Sequence, residues 1–82
     1  MIFFVISRNG FESYLPFATF PLVRLWISAG ILTASELKDL RDRGADVTDF
    51  SYEIDLNEVD VIDDAIETIK EHHPDQVIWV ER

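Results

Sequence analysis

The chain contains no cysteine. That excludes a disulfide framework, a CxxC redox pair and any thiolate metal site. Small secreted domains commonly depend on such staples, so the expected setting is reducing and cytoplasmic. Bases are scarce as well. Seven Lys and Arg stand against sixteen Asp and Glu, giving a net charge of −9 and a pI near 4.3. Binding to phosphate backbones needs clustered Lys and Arg, so direct nucleic-acid binding is not expected. Long apolar runs are missing too. The N-terminal stretch MIFFVIS has no basic n-region, and Arg8 and Asn9 end it. It is too short for a signal peptide or a membrane span and reads as a first strand. No GxGxxG loop occurs. The fragment Ser28-Ala29-Gly30 is separated by Ile31 and Leu32 from the helix N-terminus that would hold an anion.

What is present is a large apolar fraction, 48%, with six Phe, two Tyr and two Trp. This hydrophobicity argues against disorder despite the charge. Residues 1–82 form one domain by length, and a chain this short buries only about 60–65% of its unfolded surface. Large aromatic side chains offset part of that deficit. The charge is unevenly placed. Residues 1–45 hold five bases and four acids, whereas residues 46–82 hold two bases and twelve acids.

Residues 2–7 are β-rich on both alternating faces, which predicts a central strand. Between residues 8 and 21, Asn9-Gly10 is a turn signal, and Pro16 and Pro21 prevent a long helix. Phe11, Tyr14 and Leu15 have the spacing of a short helical turn. With Phe17 and Phe20, these aromatics either cap one face of the sheet or form an exposed patch for a partner. Leu22–Ser28 is a second strand. Arg24 shares a face with Leu22 and Trp26 and either snorkels to the sheet edge or pairs with a carboxylate. Thr33 and Glu36 form a capping box, and Leu32 and Leu37 a hydrophobic staple, for a helix over Ala34–Arg43. Gly44 follows at the left-handed C′ position.

Residues 47–55 alternate cleanly, with Phe50, Tyr52 and Ile54 on one side and Asp49, Ser51, Glu53 and Asp55 on the other. That pattern predicts an amphipathic edge strand. A second helix, capped by Asn57 or Asp60, runs to about His72 on a stripe of Val59, Ile62, Ala65, Ile66 and Ile69, and Pro74 stops it. Gln76–Glu81 is a last strand, apolar on both sides and therefore expected to be central. The fold class is α/β: a small two- or three-layer sandwich with a mostly parallel four-stranded sheet, β-β-α-β-α-β, and two main helices. Right-handed crossovers give a strand order containing 3-2-4, with the first strand beside the fourth or inserted next to the second.

Little in this framework carries chemistry. Ligands of open α/β sheets bind beyond the carboxyl ends of the strands. Arg8, Asn9, Ser28 and Asp55 stand there and define one candidate site. The acids from Asp55 to Asp64 lack the Gly at position six and the Glu at position twelve of an EF-hand loop, where Asp60 and Ile66 stand. His72 and His73 are adjacent on a helix, point about 100° apart and suit the negative end of the dipole better than a shared metal ion. No catalytic residue, cofactor or metal ligand is assigned.

The acids are the other candidate. Asp60, Asp64, Glu67 and Glu71 form a ridge opposite the apolar stripe, and the edge strand adds Asp49 and Glu53. They read either as a solvated face or as a recognition surface. The expected function is a non-catalytic, acidic protein-interaction module for a basic protein partner, as in inhibitor, antitoxin or immunity proteins and nucleic-acid mimics. The alternative is a small enzyme or phosphate-responsive regulatory domain using the strand ends. No membrane partner is expected, and homodimerisation through residues 11–20 or a sheet edge is a further expectation.

Overall fold

The computed structural model describes residues 1–18, 20 and 22–82. Four strands, β1 (Ile2–Val5), β2 (Arg24–Ile27), β3 (Asp46–Asp49) and β4 (Ile78–Glu81), alternate with three helices, α1 (Arg8–Tyr14), α2 (Ala34–Asp42) and α3 (Val59–His72). The sheet order is β3-β2-β1-β4 and every pairing is parallel. Ile2 lies level with Arg24 on one side and Ile78 on the other. The first strand thus takes the place between the second and the fourth.

The layers follow from handedness. The first two crossovers step the same way, from β1 to β2 to β3. The third returns across β2 and β1 to the far edge, so a right-handed connection puts its helix on the other face. Phe11 and Tyr14 of α1 and Leu40 of α2 accordingly pack with Phe3, Leu25 and Val47. Ile62, Ala65 and Ile69 of α3 pack with Ile2, Phe4 and Trp26. All four residues of β1 are buried, which explains its apolar pattern on both faces.

The segment between β1 and β2 is more helical than its turn signal suggested. Ser7 caps α1 by accepting from the Gly10 N–H at 3.0 Å, so Asn9-Gly10 lies inside a helix rather than in a turn. Pro16 then tightens the chain into a 3-10 turn over Leu15–Phe17. Pro21, read as a second barrier to a long helix, lies outside the described residues. The aromatics of this segment divide. Phe11 and Tyr14 are buried, and Phe17 and Phe20 are exposed.

The α2 helix is built as its sequence indicates. Thr33 Oγ1 accepts from the Glu36 N–H, Glu36 Oε1 accepts from the Thr33 N–H, both at 3.1 Å, and Gly44 follows with φ +92°. Three expectations need correction. The third strand ends at Asp49 rather than Asp55. Beyond it, only single bonds tie the chain to its neighbour: Phe50 N–H to Ile27 O, Ala29 N–H to Tyr52 O and Ile54 N–H to Ser28 Oγ. The ladder stops because β2 ends at Ile27 and turns away at Gly30, whose φ is +83°. Phe50 and Ile54 still reach the core.

Neither Asn57 nor Asp60 caps α3. Glu58 holds the N-cap position without a side-chain bond, and Asp60 sits inside the first turn. The Asn57 N–H donates instead to Asp55 Oδ1 at 2.8 Å, closing an Asx turn before the helix. Finally, β4 is an edge strand, not a central one. Its inner-face residues Ile78 and Val80 pack under α3, but Trp79 on the other face is half exposed.

Candidate interaction surface

The α3 ridge forms as its spacing dictates. At 100° per residue, Asp60, Asp64, Glu67 and Glu71 fall within about 60° of arc and span about 17 Å of helix. All four are exposed, opposite the buried Ile62, Ala65 and Ile69. Their electrostatic situation differs from that of the acids on α2 and β3. Five ion pairs join Arg8 to Glu36, Arg24 to Asp46, Lys38 to Asp42, Arg41 to Asp49 and Arg43 to Asp39. No ridge acid takes part in an ion pair among the described residues. The five pairs cancel internally, so the whole net charge of −9 rests on side chains outside them.

The two other acids of the candidate surface stand apart from the ridge. Asp49 closes β3 and is held by Arg41 at 3.1 Å. Glu53 lies in the loop before α3, where its carboxylate crowds Gly30: a Cβ there would meet Glu53 Oε1 at 2.7 Å.

Arg8, Asn9, Ser28 and Asp55 all stand beyond strand ends, but each is engaged separately. Arg8 bonds Glu36 at 2.8 Å and lies over the Phe11 ring, tying α1 to the start of α2. The Thr33 backbone N–H first, and then Arg8, hold the Glu36 carboxyl below the usual glutamate range. The Asn9 carbonyl accepts from Ser13 Oγ. Ser28, 3% exposed, accepts from the Ile54 N–H at 2.9 Å and anchors the loop before α3. Asp55 holds the Asx turn.

At the opposite end of the sheet, His73 Nδ1 meets Arg24 Nη1 at 2.8 Å, which leaves the ring proton on Nε2. His72 Nδ1 instead meets the Thr68 carbonyl at 2.9 Å. The neighbouring histidines therefore serve different partners, and both rings lie within 6.0 Å of Trp26. Arg24 also pairs with Asp46, so of the two readings of Arg24 the carboxylate partner is the one observed.

Among the described residues, two of the grooves measure about 240 and 230 Å³. Both fall below the roughly 300–1,000 Å³ common for small-molecule sites. The first is lined by Met1, Leu22, Arg24 and Gln76. The second is more apolar and lies between Phe17 and Trp79, beside β4. The sequence pattern concealed this second surface. Apolarity on both faces of Gln76–Glu81 signals burial, and only the strand order shows that one face is open.

The fold and surface define a small three-layer α/β protein built on an all-parallel sheet. Among the described residues no helix is long and apolar enough to cross a membrane. Compared with known proteins, the chain matches no family model, no curated sequence and no solved structure at a significant level.

Proposed function

We propose that this protein is a non-catalytic interaction module whose α3 ridge docks a basic surface of a protein partner. The observation that carries the reading is the contrast in ion pairing. The acids of α2 and β3 at Asp39, Asp42, Asp46 and Asp49 hold bases of their own chain, while Asp60, Asp64, Glu67 and Glu71 hold none among the described residues. Unpaired acids aligned on a rigid helix keep their full field for a ligand. Such a field accelerates encounter with a positive partner and discriminates against acidic ones. It acts over a Debye length of about 8 Å at physiological salt, so the docking is salt-sensitive.

The strand-end enzyme reading has less support. Arg8, Ser28 and Asp55 are spent on separate structural bonds, Asn9 is engaged only through its backbone carbonyl, and neither groove is lined by any of the four. The test is affinity capture from the native host, comparing the wild-type chain with a variant carrying Asp60→Lys, Asp64→Lys and Glu67→Lys. The expected result is a basic protein retained at low salt, released at high salt and lost from the variant. Retention that ignores both salt and charge reversal overturns the reading.

A further inference from the structure

The two edges of the sheet are treated differently. Phe50 N–H bonds Ile27 O, so by alternation Val47 and Asp49 turn their backbone groups outward from β3. Arg41 covers that edge: its Nη2 donates to Val47 O at 3.0 Å and to Asp49 Oδ1 at 3.1 Å. Asp46 and Asp49 also set acids along this edge, and inserting charges along an edge discourages pairing with another strand. This edge is closed to other strands by the means proteins commonly use.

The β4 edge has neither protection. The carbonyls of Val77 and Glu81 accept from Ile2 and Ile6 of β1. Ile78 and Val80 therefore point their N–H and C=O groups away from the sheet. Among the described residues no side chain hydrogen-bonds them, and residues 77–80 carry no charge. Beside this edge lies the apolar groove. Trp79 is level with Phe3 of β1, Phe17 stacks on Phe3 at 5.4 Å, and Phe20 meets Phe17 edge-on at 5.6 Å. Trp79 is 52% exposed, Val77 65%, Phe20 53% and Phe17 38%. With aromatic side chains of roughly 150–250 Å² each, these four leave on the order of 400 Å² of apolar surface in contact with water. That is about the upper size for an unpartnered patch on a monomer. With the edge backbone added, the contact is a small one, below the roughly 800 Å² per partner of a standard interface.

We infer that the β4 edge pairs with β4 of a second copy of this chain, antiparallel about a two-fold axis at Trp79. In that register Ile78 of each copy faces Val80 of the other, and their outward groups form four main-chain hydrogen bonds. The two Trp79 rings meet at the closer, non-hydrogen-bonded position, on the face that carries Phe17 and Phe20. Glu81 faces Val77 and Arg82 faces Gln76, so no like charges oppose. The self-complementary patch is what an isologous two-fold contact requires. The axis stands perpendicular to the joined eight-stranded sheet, so both α3 helices lie on its other face. The acid ridges then point away from the contact and to the same side. This inference does not rest on the proposed function of the ridge.

Sedimentation equilibrium of the purified full chain tests it, with no other protein present. The expected mass at high concentration is twice 9.5 kDa, falling to the monomer for Trp79→Lys with an unchanged far-ultraviolet circular dichroism spectrum. Because the chain has no cysteine, Trp79→Cys provides an independent readout. Mild oxidation should link it into a covalent dimer, while Glu71→Cys should stay monomeric on the same gel. A wild-type monomer at every concentration overturns the inference, as does a dimer that survives Trp79→Lys. Failure of Trp79→Cys to cross-link ahead of Glu71→Cys overturns it too, even if the lysine variant does not fold.

Discussion

Arg41 reaches from α2 across the outer edge of β3 and donates to the main-chain carbonyl of Val47 at 3.0 Å. One side chain thereby joins a helix to a strand residue six positions on and removes an acceptor from an otherwise free sheet edge. The same guanidinium holds Asp49, which keeps the strand end anchored.

Arg41→Ala is therefore expected to have two effects. Loss of a charge-assisted bond at a half-exposed site lowers stability by about 1 kcal/mol, measurable by urea denaturation. The freed β3 edge also raises the tendency to aggregate, which light scattering during thermal unfolding would register. Arg41→Lys should recover less than half of the stability, because the lysine stem is one atom shorter and its ammonium falls short of the Nη2 position that serves both acceptors. Equal stability and solubility in all three proteins would show that Arg41 does not seal the edge.

Gly10 decides how closely α1 approaches β4. An alanine Cβ there would lie 2.6 Å from the carbonyl oxygen of Glu81, inside any permitted contact. In an open helix Gly→Ala would stabilise by roughly 0.5–1 kcal/mol. Here the obstacle is backbone, which cannot rotate aside, so overpacking governs. Gly10→Ala is expected to destabilise by about 1–3 kcal/mol in chemical denaturation. A gain in stability would mean that α1 sits farther from β4 than described.

The positions that read correctly from sequence are those whose signal is local. Thr33, Glu36 and Gly44 bracket α2 through bonds to residues three or four places away, and the stripe on α3 needs only a 3.6-residue period. Ser7 carried the same kind of signal as an N-cap, but Asn9-Gly10 imitates a hairpin turn. Gly10 is there for a contact with Glu81, seventy-one residues distant, which no local pattern reveals. The length of β3 and the edge position of β4 are long-range properties as well. Phe50 and Ile54 alternate like a strand because both face the core, although β2 has already turned away beside them. The ridge of Asp60, Asp64, Glu67 and Glu71 was legible as a pattern. That Arg41 engages Asp49 while the ridge goes unpaired required the packing of α2 on β3.

Ser28 illustrates a residue at a ligand-binding position of the fold that is used for architecture. Its buried hydroxyl accepts from the Ile54 N–H at 2.9 Å and donates to the Ala29 carbonyl at 3.0 Å. Ser28→Ala leaves the Ile54 amide buried without a partner, which costs about 1–3 kcal/mol. Denaturation would measure the loss. Amide exchange should show it concentrated in the loop before α3, with faster exchange at Ile54 than at Ile27. A uniform small change across the chain would argue that the hydroxyl has no anchoring role.

Tyr14 presents the reverse case, a buried polar atom with no partner. Its side chain is fully buried against Phe3 and Phe11, and its hydroxyl is unbonded among the described residues. Burial first, and the nearby Asp46 charge second, raise its pKa above the ordinary tyrosine value. The consequence for stability follows by linkage. Below the ordinary tyrosine range both folded and unfolded chains keep the proton, and Tyr14 contributes no pH dependence. Above it the unfolded chain releases the proton while the folded chain retains it, so stability falls with each further rise in pH until the folded group also ionises. Tyr14→Phe removes both the unsatisfied hydroxyl and this proton. At neutral pH the variant is expected to be unchanged to about 1 kcal/mol more stable, since the ring packing remains and only an unpaired dipole is lost. In alkaline solution its advantage should widen, visible as a slower decline of the urea midpoint with pH. A Tyr14→Phe protein that is less stable than wild type at neutral pH, with a parallel alkaline decline, would mean that the hydroxyl is hydrogen-bonded after all.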